Sequence, residues 1–109
     1  MERQLEIVAD LRERYPYVVV EDKGEIFNSD LTQAIELGYC LDLAACMLQA
    51  GLARKESRGA HSRPKDFPTR DDENFMKHSI TRWNADGDAP ELSYKPVRFT
   101  KYQPQERKY

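Results

Sequence analysis

The chain has 109 residues, 33% of them charged, and a formal net charge of −2. A length like this holds one domain at most, with a real but thin core. The slightly acidic balance gives no global pull toward nucleic acid or anionic lipid, and 39% apolar residues with interspersed charge fit a folded domain rather than a disordered chain. The opening Met1-Glu2-Arg3-Gln4 has no cationic segment leading into an apolar one, so no secretion signal is read and a cytoplasmic location is expected. The apolar-rich run from Leu41 to Leu52 is interrupted by Asp42 and Gln49 and reads as too short and too polar to cross a bilayer.

Residues 2–15 carry Leu5, Val8, Leu11 and Tyr15 at helical spacing, and Pro16 stops the pattern. Tyr17-Val18-Val19-Val20, the turn signal Asp22-Lys23-Gly24 and Glu25-Ile26-Phe27 make either a small hairpin or an extended connector. Asn28 or Ser29 caps the next helix, expected over 30–53. One stripe of that helix is Leu31, Ile35, Gly38, Leu41, Ala45, Leu48 and Leu52; a second is Ala34, Leu37, Leu41, Ala44 and Met47. Together they span a wide arc, so the helix packs on more than one neighbour. Gly38 inside it marks a hinge or, the plainer reading, a close approach by another element. Cys40 and Cys46 stand about 600° apart around this helix, too far round to pair, and read as two buried thiols in a reducing compartment.

Residues 54–68, with Gly59, Pro64 and Pro68, read as irregular. A third helix is expected over 70–83, capped by Thr69 and faced by Phe75, Met76, Ile80 and Trp83. A turn over 84–88 and an extended arm over 90–109 complete the chain, with Pro90 and Pro96 arguing against a central strand. The fold class is therefore mainly α: an antiparallel helical bundle of about three helices with an extended C-terminal arm, forming a single domain over 1–109.

Chemistry is scarce. A nucleophilic triad needs a Ser, Cys or Thr beside an oriented base, and His61 and His78 lie in no such pattern. No Cys-x-x-Cys or His-x-x-x-His pair suggests zinc, and no glycine-rich loop suggests a dinucleotide. No catalytic, cofactor-binding or metal-binding residue is assigned. The segment 54–65 does concentrate Arg54, Lys55, Arg58, Arg63 and Lys65 around the single acid Glu56. No aromatic interleaves these cations, which argues against nucleic acid. Arg58, His61 and Arg63 suit an anion or carboxylate, a solvated loop needs no function at all, and an independent protein-interaction module using segment 54–70 is a further alternative.

Long motifs weigh the choice. The run Arg54-Lys55-Glu56-Ser57-Arg58-Gly59-Ala60-His61-Ser62-Arg63 and the run from Asp66-Phe67-Pro68 through Arg70-Asp71-Asp72-Glu73-Asn74-Phe75 to Lys77-His78 resemble the C-terminal domain of succinate dehydrogenase and fumarate reductase flavoproteins, a domain similar also in L-aspartate oxidases. Phe27-Asn28-Ser29-Asp30-Leu31 upstream, and Leu92-Ser93-Tyr94-Lys95-Pro96-Val97 and Glu106-Arg107-Lys108-Tyr109 downstream, fit the same family in order. The segment Pro64-Lys65 is one residue longer than the family pattern.

The resemblance implies a parent that interconverts succinate and fumarate through FAD and passes electrons to an iron–sulfur subunit and quinone, at the cytoplasmic face of the membrane. The flavin fingerprint and the substrate-binding residues would lie upstream, so this chain is expected to be a fragment, an engineered domain or a split-gene product, without flavin or activity of its own. Its expected partners are the FAD and capping domains of the flavoprotein and the iron–sulfur subunit, with Arg54, Arg58, His61, Arg63 and Arg70 as the candidate docking residues. Neither nucleic-acid binding nor direct membrane insertion is expected, and weak self-association follows from a bare docking surface.

Overall fold

The structure is a computed structural model that describes residues 1–84 and 89–105. Helix α1 spans Glu2–Arg14 and runs into a single 3₁₀ turn, Tyr15–Tyr17, where Pro16 occupies an early position. Pro16 supplies no amide hydrogen, which is tolerated there because the first amides of a helical turn have no internal partner. Residues 18–28 form no strand, so the connector is the form observed. Its turn is built from side chains: Asp22 Oδ1 accepts from the Gly24 amide at 2.8 Å, and Asn28 Nδ2 donates to the carbonyls of Asp22 and Gly24. Asn28 Oδ1 also accepts from the Leu31 amide at 2.8 Å, capping the second helix.

That helix, α2, covers Ser29–Ala53 and packs against α1. Leu41 and Ala45 are the buried hydrophobic residues among those described, so the core is as thin as the length implies. Two further contacts set the helix pair. Arg12 of α1 reaches Asp42 of α2 at 3.3 Å while its guanidinium lies 4.2 Å from the Trp83 ring centre. The Tyr15 hydroxyl donates to the Ala34 carbonyl at 2.9 Å, and its ring crosses Gly38 so closely that a Cβ there would meet Tyr15 Oη at 2.6 Å. Gly38 is thus a close-approach glycine. Cys46 is half-buried, but Cys40 is exposed, against the expectation of two buried thiols: it lies one position before Leu41, about 100° round the helix from that buried residue.

The third helix expected over 70–83 does not form. A four-residue turn, α3, covers Asp72–Phe75. Its cap is Asp71, whose carboxylate accepts from the Asn74 amide at 3.0 Å, and not Thr69. Strand β1, Lys77–Arg82, follows and pairs antiparallel with β2, Glu91–Pro96, with Lys77 opposite Pro96 and Arg82 opposite Glu91. The spacing of Phe75, Met76, Ile80 and Trp83 imitates a helical face, but the run 77–82 alternates half-buried and exposed positions with the period of a strand. Part of the expected arm is therefore strand. Its prolines sit where a ladder tolerates them, Pro90 just before β2 and Pro96 at its end. The fold is thus a helix pair with a short third turn and a two-stranded ribbon, and not a purely helical bundle. The arm continues without regular structure over residues 97–105. Most of the turn expected over 84–88, and the last stretch of the arm, 106–109, lie outside the described residues.

The Cα radius of gyration is 18.5 Å over extents of 55 × 32 × 31 Å, whereas a compact chain of about 100 residues measures about 13 Å. The molecule is elongated, with much side-chain surface left open. At Gly38, helix propensity and packing oppose each other. Gly38→Ala is expected to destabilise the chain by about 1–3 kcal/mol, through displacement of the Tyr15 ring. In a Tyr15→Ala background the same change is expected to stabilise by about 1 kcal/mol, the helix-propensity gain alone. Urea unfolding of the four proteins of this cycle checks the change of sign.

Candidate functional site

The loop that leaves α2 is organised around one carboxylate. Glu56 is 0% exposed, the one buried charged residue among those described. Arg54 Nη1 donates to its Oε1 at 2.5 Å and Arg58 Nε to the same oxygen at 2.8 Å. Arg58 Nη2 and the Asp71 amide donate to Oε2 at 3.0 and 2.9 Å. Arg58 thus makes a bidentate grip, and both carboxylate oxygens are doubly engaged. Burial pushes the Glu56 carboxyl up, but the hydrogen bonds from Arg58, the Asp71 amide and Arg54, with the Arg58 charge, outweigh it and hold the group below its ordinary range. The Arg58 guanidinium is pushed up in turn, first by its hydrogen bond to Glu56.

Local sequence places these donors. Gly59 takes φ +58 at the corner of a tight reversal in which Arg58 and His61 exchange backbone hydrogen bonds at 2.8 and 3.0 Å. No atom crowds Gly59, so its role is the left-handed backbone that a side chain resists. Ser57 holds the second level: its hydroxyl donates to the Phe67 carbonyl at 2.7 Å and accepts from the Arg63 amide at 2.8 Å. Its own amide donates to the Thr69 carbonyl.

The five candidate docking residues are accordingly distributed inward and outward. Arg54 reaches the carbonyls of Phe75 and Lys77 and the Ser79 hydroxyl, tying the end of α2 to α3 and β1. Arg63 donates to the Leu52 carbonyl at 3.0 Å, meeting the open carbonyl end of α2, and pairs with Asp66. His61 Nε2 lies 3.1 Å from the Arg54 carbonyl. Arg58 extends from Glu56 to Asp72 at 2.6 Å. Arg70, farther out, meets Asp72 at 2.8 Å and donates to the Gln105 carbonyl at 3.0 Å, linking the loop to the C-terminal arm. One hydrogen-bonded chain therefore joins Glu56, Arg58, Asp72, Arg70 and the arm. Residue reasoning missed Glu56 as the centre of the group. The available signal was a lone acid with an arginine two residues away on each side.

Among the described residues no three His, Cys, Asp or Glu side chains gather to hold a metal ion. A flavin finds no fit here either. The guanidiniums that would meet a pyrophosphate are already engaged by Glu56, Asp66, Asp72 and backbone carbonyls, and Gly59 forms a hairpin corner, not a phosphate cradle.

An arginine-clamped carboxylate thus locks a helix pair to a two-stranded ribbon, and comparison with known proteins places this architecture in a family. The chain belongs to the family described as "Fumarate reductase flavoprotein C-term", which matches residues 1–109. It is 43% identical over 109 residues to the fumarate reductase flavoprotein subunit of Haemophilus influenzae, and 43% identical over 94 residues to the succinate dehydrogenase flavoprotein subunit of Rickettsia conorii. These alignments cover 100% and 86% of this chain but 18% and 15% of the relatives. The flavoprotein chain of a solved Escherichia coli quinol fumarate reductase superposes with a TM-score of 0.87 at 40% identity, over 96% of this chain and 18% of that one. The whole chain thus matches the model for the C-terminal part of these flavoprotein subunits, and it spans about a fifth of the length of its relatives.

Glu56→Gln removes the charge that the half-buried Arg54 and Arg58 guanidiniums share, leaving Arg58 only its pair with Asp72. It is expected to cost about 3–5 kcal/mol in chemical unfolding, much of the roughly 5–15 kcal/mol available to a domain. Because the folded carboxyl titrates below the unfolded one, its contribution is complete above the ordinary carboxylate range and is lost as pH falls through the depressed value. Wild-type stability should therefore decline steeply below pH ~4, and less steeply in Glu56→Gln, as followed by urea unfolding across pH.

Proposed function

We propose that this chain is the structural and assembly domain of a flavoprotein that interconverts succinate and fumarate. In that reading the preceding FAD and capping domains hold both flavin and substrate. FAD, when bound there, supplies the hydride-transfer chemistry. Electrons pass to an iron–sulfur subunit and quinone at the cytoplasmic face of the membrane. The observation that carries the reading is the end-to-end match at 43% identity to a relative of which this chain is 18%. The elongated shape supports it as well, since a chain with an 18.5 Å radius of gyration leaves surface for a neighbour to cover.

Arg54, Arg58, His61, Arg63 and Arg70 serve docking in this reading mainly by fixing the shape of segment 54–72. The arginine charges are already matched by Glu56, Asp66 and Asp72. Arg70 is the member best placed to meet a partner directly.

The test is reconstitution. The chain is mixed with the matching flavoprotein truncated before this region, binding is followed by calorimetry, and succinate-dependent dye reduction is then measured. Saturable binding with restored reduction is expected, and Arg58→Ala should weaken that binding. Two folded pieces that do not associate would overturn the assembly role; unchanged binding across substitutions at all five positions would overturn the role of the loop.

A further inference from the structure

Helix α2 carries a second apolar face. Its residues advance by about 100° each, so Tyr39, Leu43 and Met47 form a stripe roughly 180° from the buried Leu41 and Ala45. Those three side chains are 65%, 62% and 74% exposed. A helix apolar on opposite sides is a core helix or a membrane span, yet among the described residues α1 and β1 are the main elements packed on this one, and they leave the stripe open. Just before its cap, Phe27 is 98% exposed and held at φ +52, a backbone conformation unfavourable for a bulky side chain. Open apolar surface therefore lies along α2 and on the connector before it, where Tyr17, Val19 and Ile26 are exposed as well, whereas the charged loop 54–72 closes upon itself.

Three occupants suit an apolar stripe. A bilayer is the first, because α2 is long and apolar enough by length and composition to span one: with residues 29–40 included, it exceeds the run from Leu41 to Leu52. Asp42 argues against it. It sits near the middle of α2 in an ion pair with Arg12, and an aspartate at the centre of a membrane helix costs about 2.5–3.5 kcal/mol. A second copy of the chain is the next. The third is the polypeptide that precedes this region in the relatives, which amounts to most of their length. That polypeptide is covalently joined, so it covers the stripe at a high effective concentration and needs no bimolecular association.

We infer that Tyr39, Leu43 and Met47 of α2 form the face that seats against the preceding part of the flavoprotein polypeptide; the inference rests on the assembly reading above. The site is an apolar helix-packing surface, and its occupant is an apolar element of the same subunit. Glu36, about two turns before Leu43 on the same side, marks the polar rim.

Cys40 reports on it directly, being exposed and adjacent to the stripe. The full flavoprotein is treated with a maleimide, and labelling of the Cys40 peptide is timed by mass spectrometry. Labelling at least about tenfold slower than in the denatured protein is expected. Met47→Glu should remove most of that protection, and Met47→Leu should retain it. Free labelling of Cys40 in a protein that keeps flavin and turnover would overturn the face and leave the assembly reading intact. Protection in a protein with neither flavin nor succinate–fumarate turnover would support the face and overturn that reading. Protection lost on dilution to a monomer would assign the stripe to a second copy, and protection present only with phospholipid vesicles would assign it to lipid; either result overturns the inference.

Discussion

The Glu56 carboxylate sets the conditions for most of what surrounds it. An ion taken wholly out of water costs several kcal/mol unless its oxygens are fully met. Here they are met by donors from three separate segments: Arg54 at the end of α2, Arg58 on the loop reversal, and the amide of Asp71 that opens α3. None of the three can move without exposing the others. Arg54 then passes the constraint to β1 through the Lys77 carbonyl and the Ser79 hydroxyl. Arg58 passes it outward through Asp72 and Arg70 to the C-terminal arm. The ribbon and the arm are positioned relative to the helices by this one charge more than by apolar packing.

Such dependence follows from how little core the chain has. Leu41 and Ala45 bury too little to fix a ribbon that crosses the end of α2. A buried ion cluster is a weak source of net stability but a demanding one geometrically, because any misplacement strands a charge. Asn28, Ser57 and Arg63 act in the same way on a smaller scale, each joining backbone groups that regular structure leaves open.

The helices were legible because their signals are local. Leu5, Val8 and Leu11 repeat with the helical period, Asn28 caps, and Gly38 announces a close neighbour, found to be Tyr15. The two stripes of α2 also pointed to more than one neighbour. The ribbon was not legible, since β1 is strand only because Glu91–Pro96 lies beside it, and pairing across that distance leaves no mark in a window around Ile80. The apolar residues 75, 76, 80 and 83 happen to match a helical face. In the loop, the residue types were plain but their direction was not. A cluster of arginines reads equally well as a surface for a partner or as an internal clamp, and the difference lies in whether Glu56 is buried, which composition cannot express. The family resemblance recovered the identity of the region, but neither its strands nor the inward aim of its arginines.

Charge density and interface therefore part company in this molecule. The most conspicuous segment, residues 54–74, pairs its arginines internally: they meet Glu56, Asp66 and Asp72 before any partner arrives. A partner offering carboxylates to that loop would have to break existing pairs to form new ones, a near-even exchange with little net gain. The exposed stripe of Tyr39, Leu43 and Met47 has no such competitor except water, and covering it releases apolar surface at no cost in existing bonds. The polar loop thus gives the region its shape, and in the inference drawn above the uncovered side of α2 supplies the driving force for joining the preceding polypeptide.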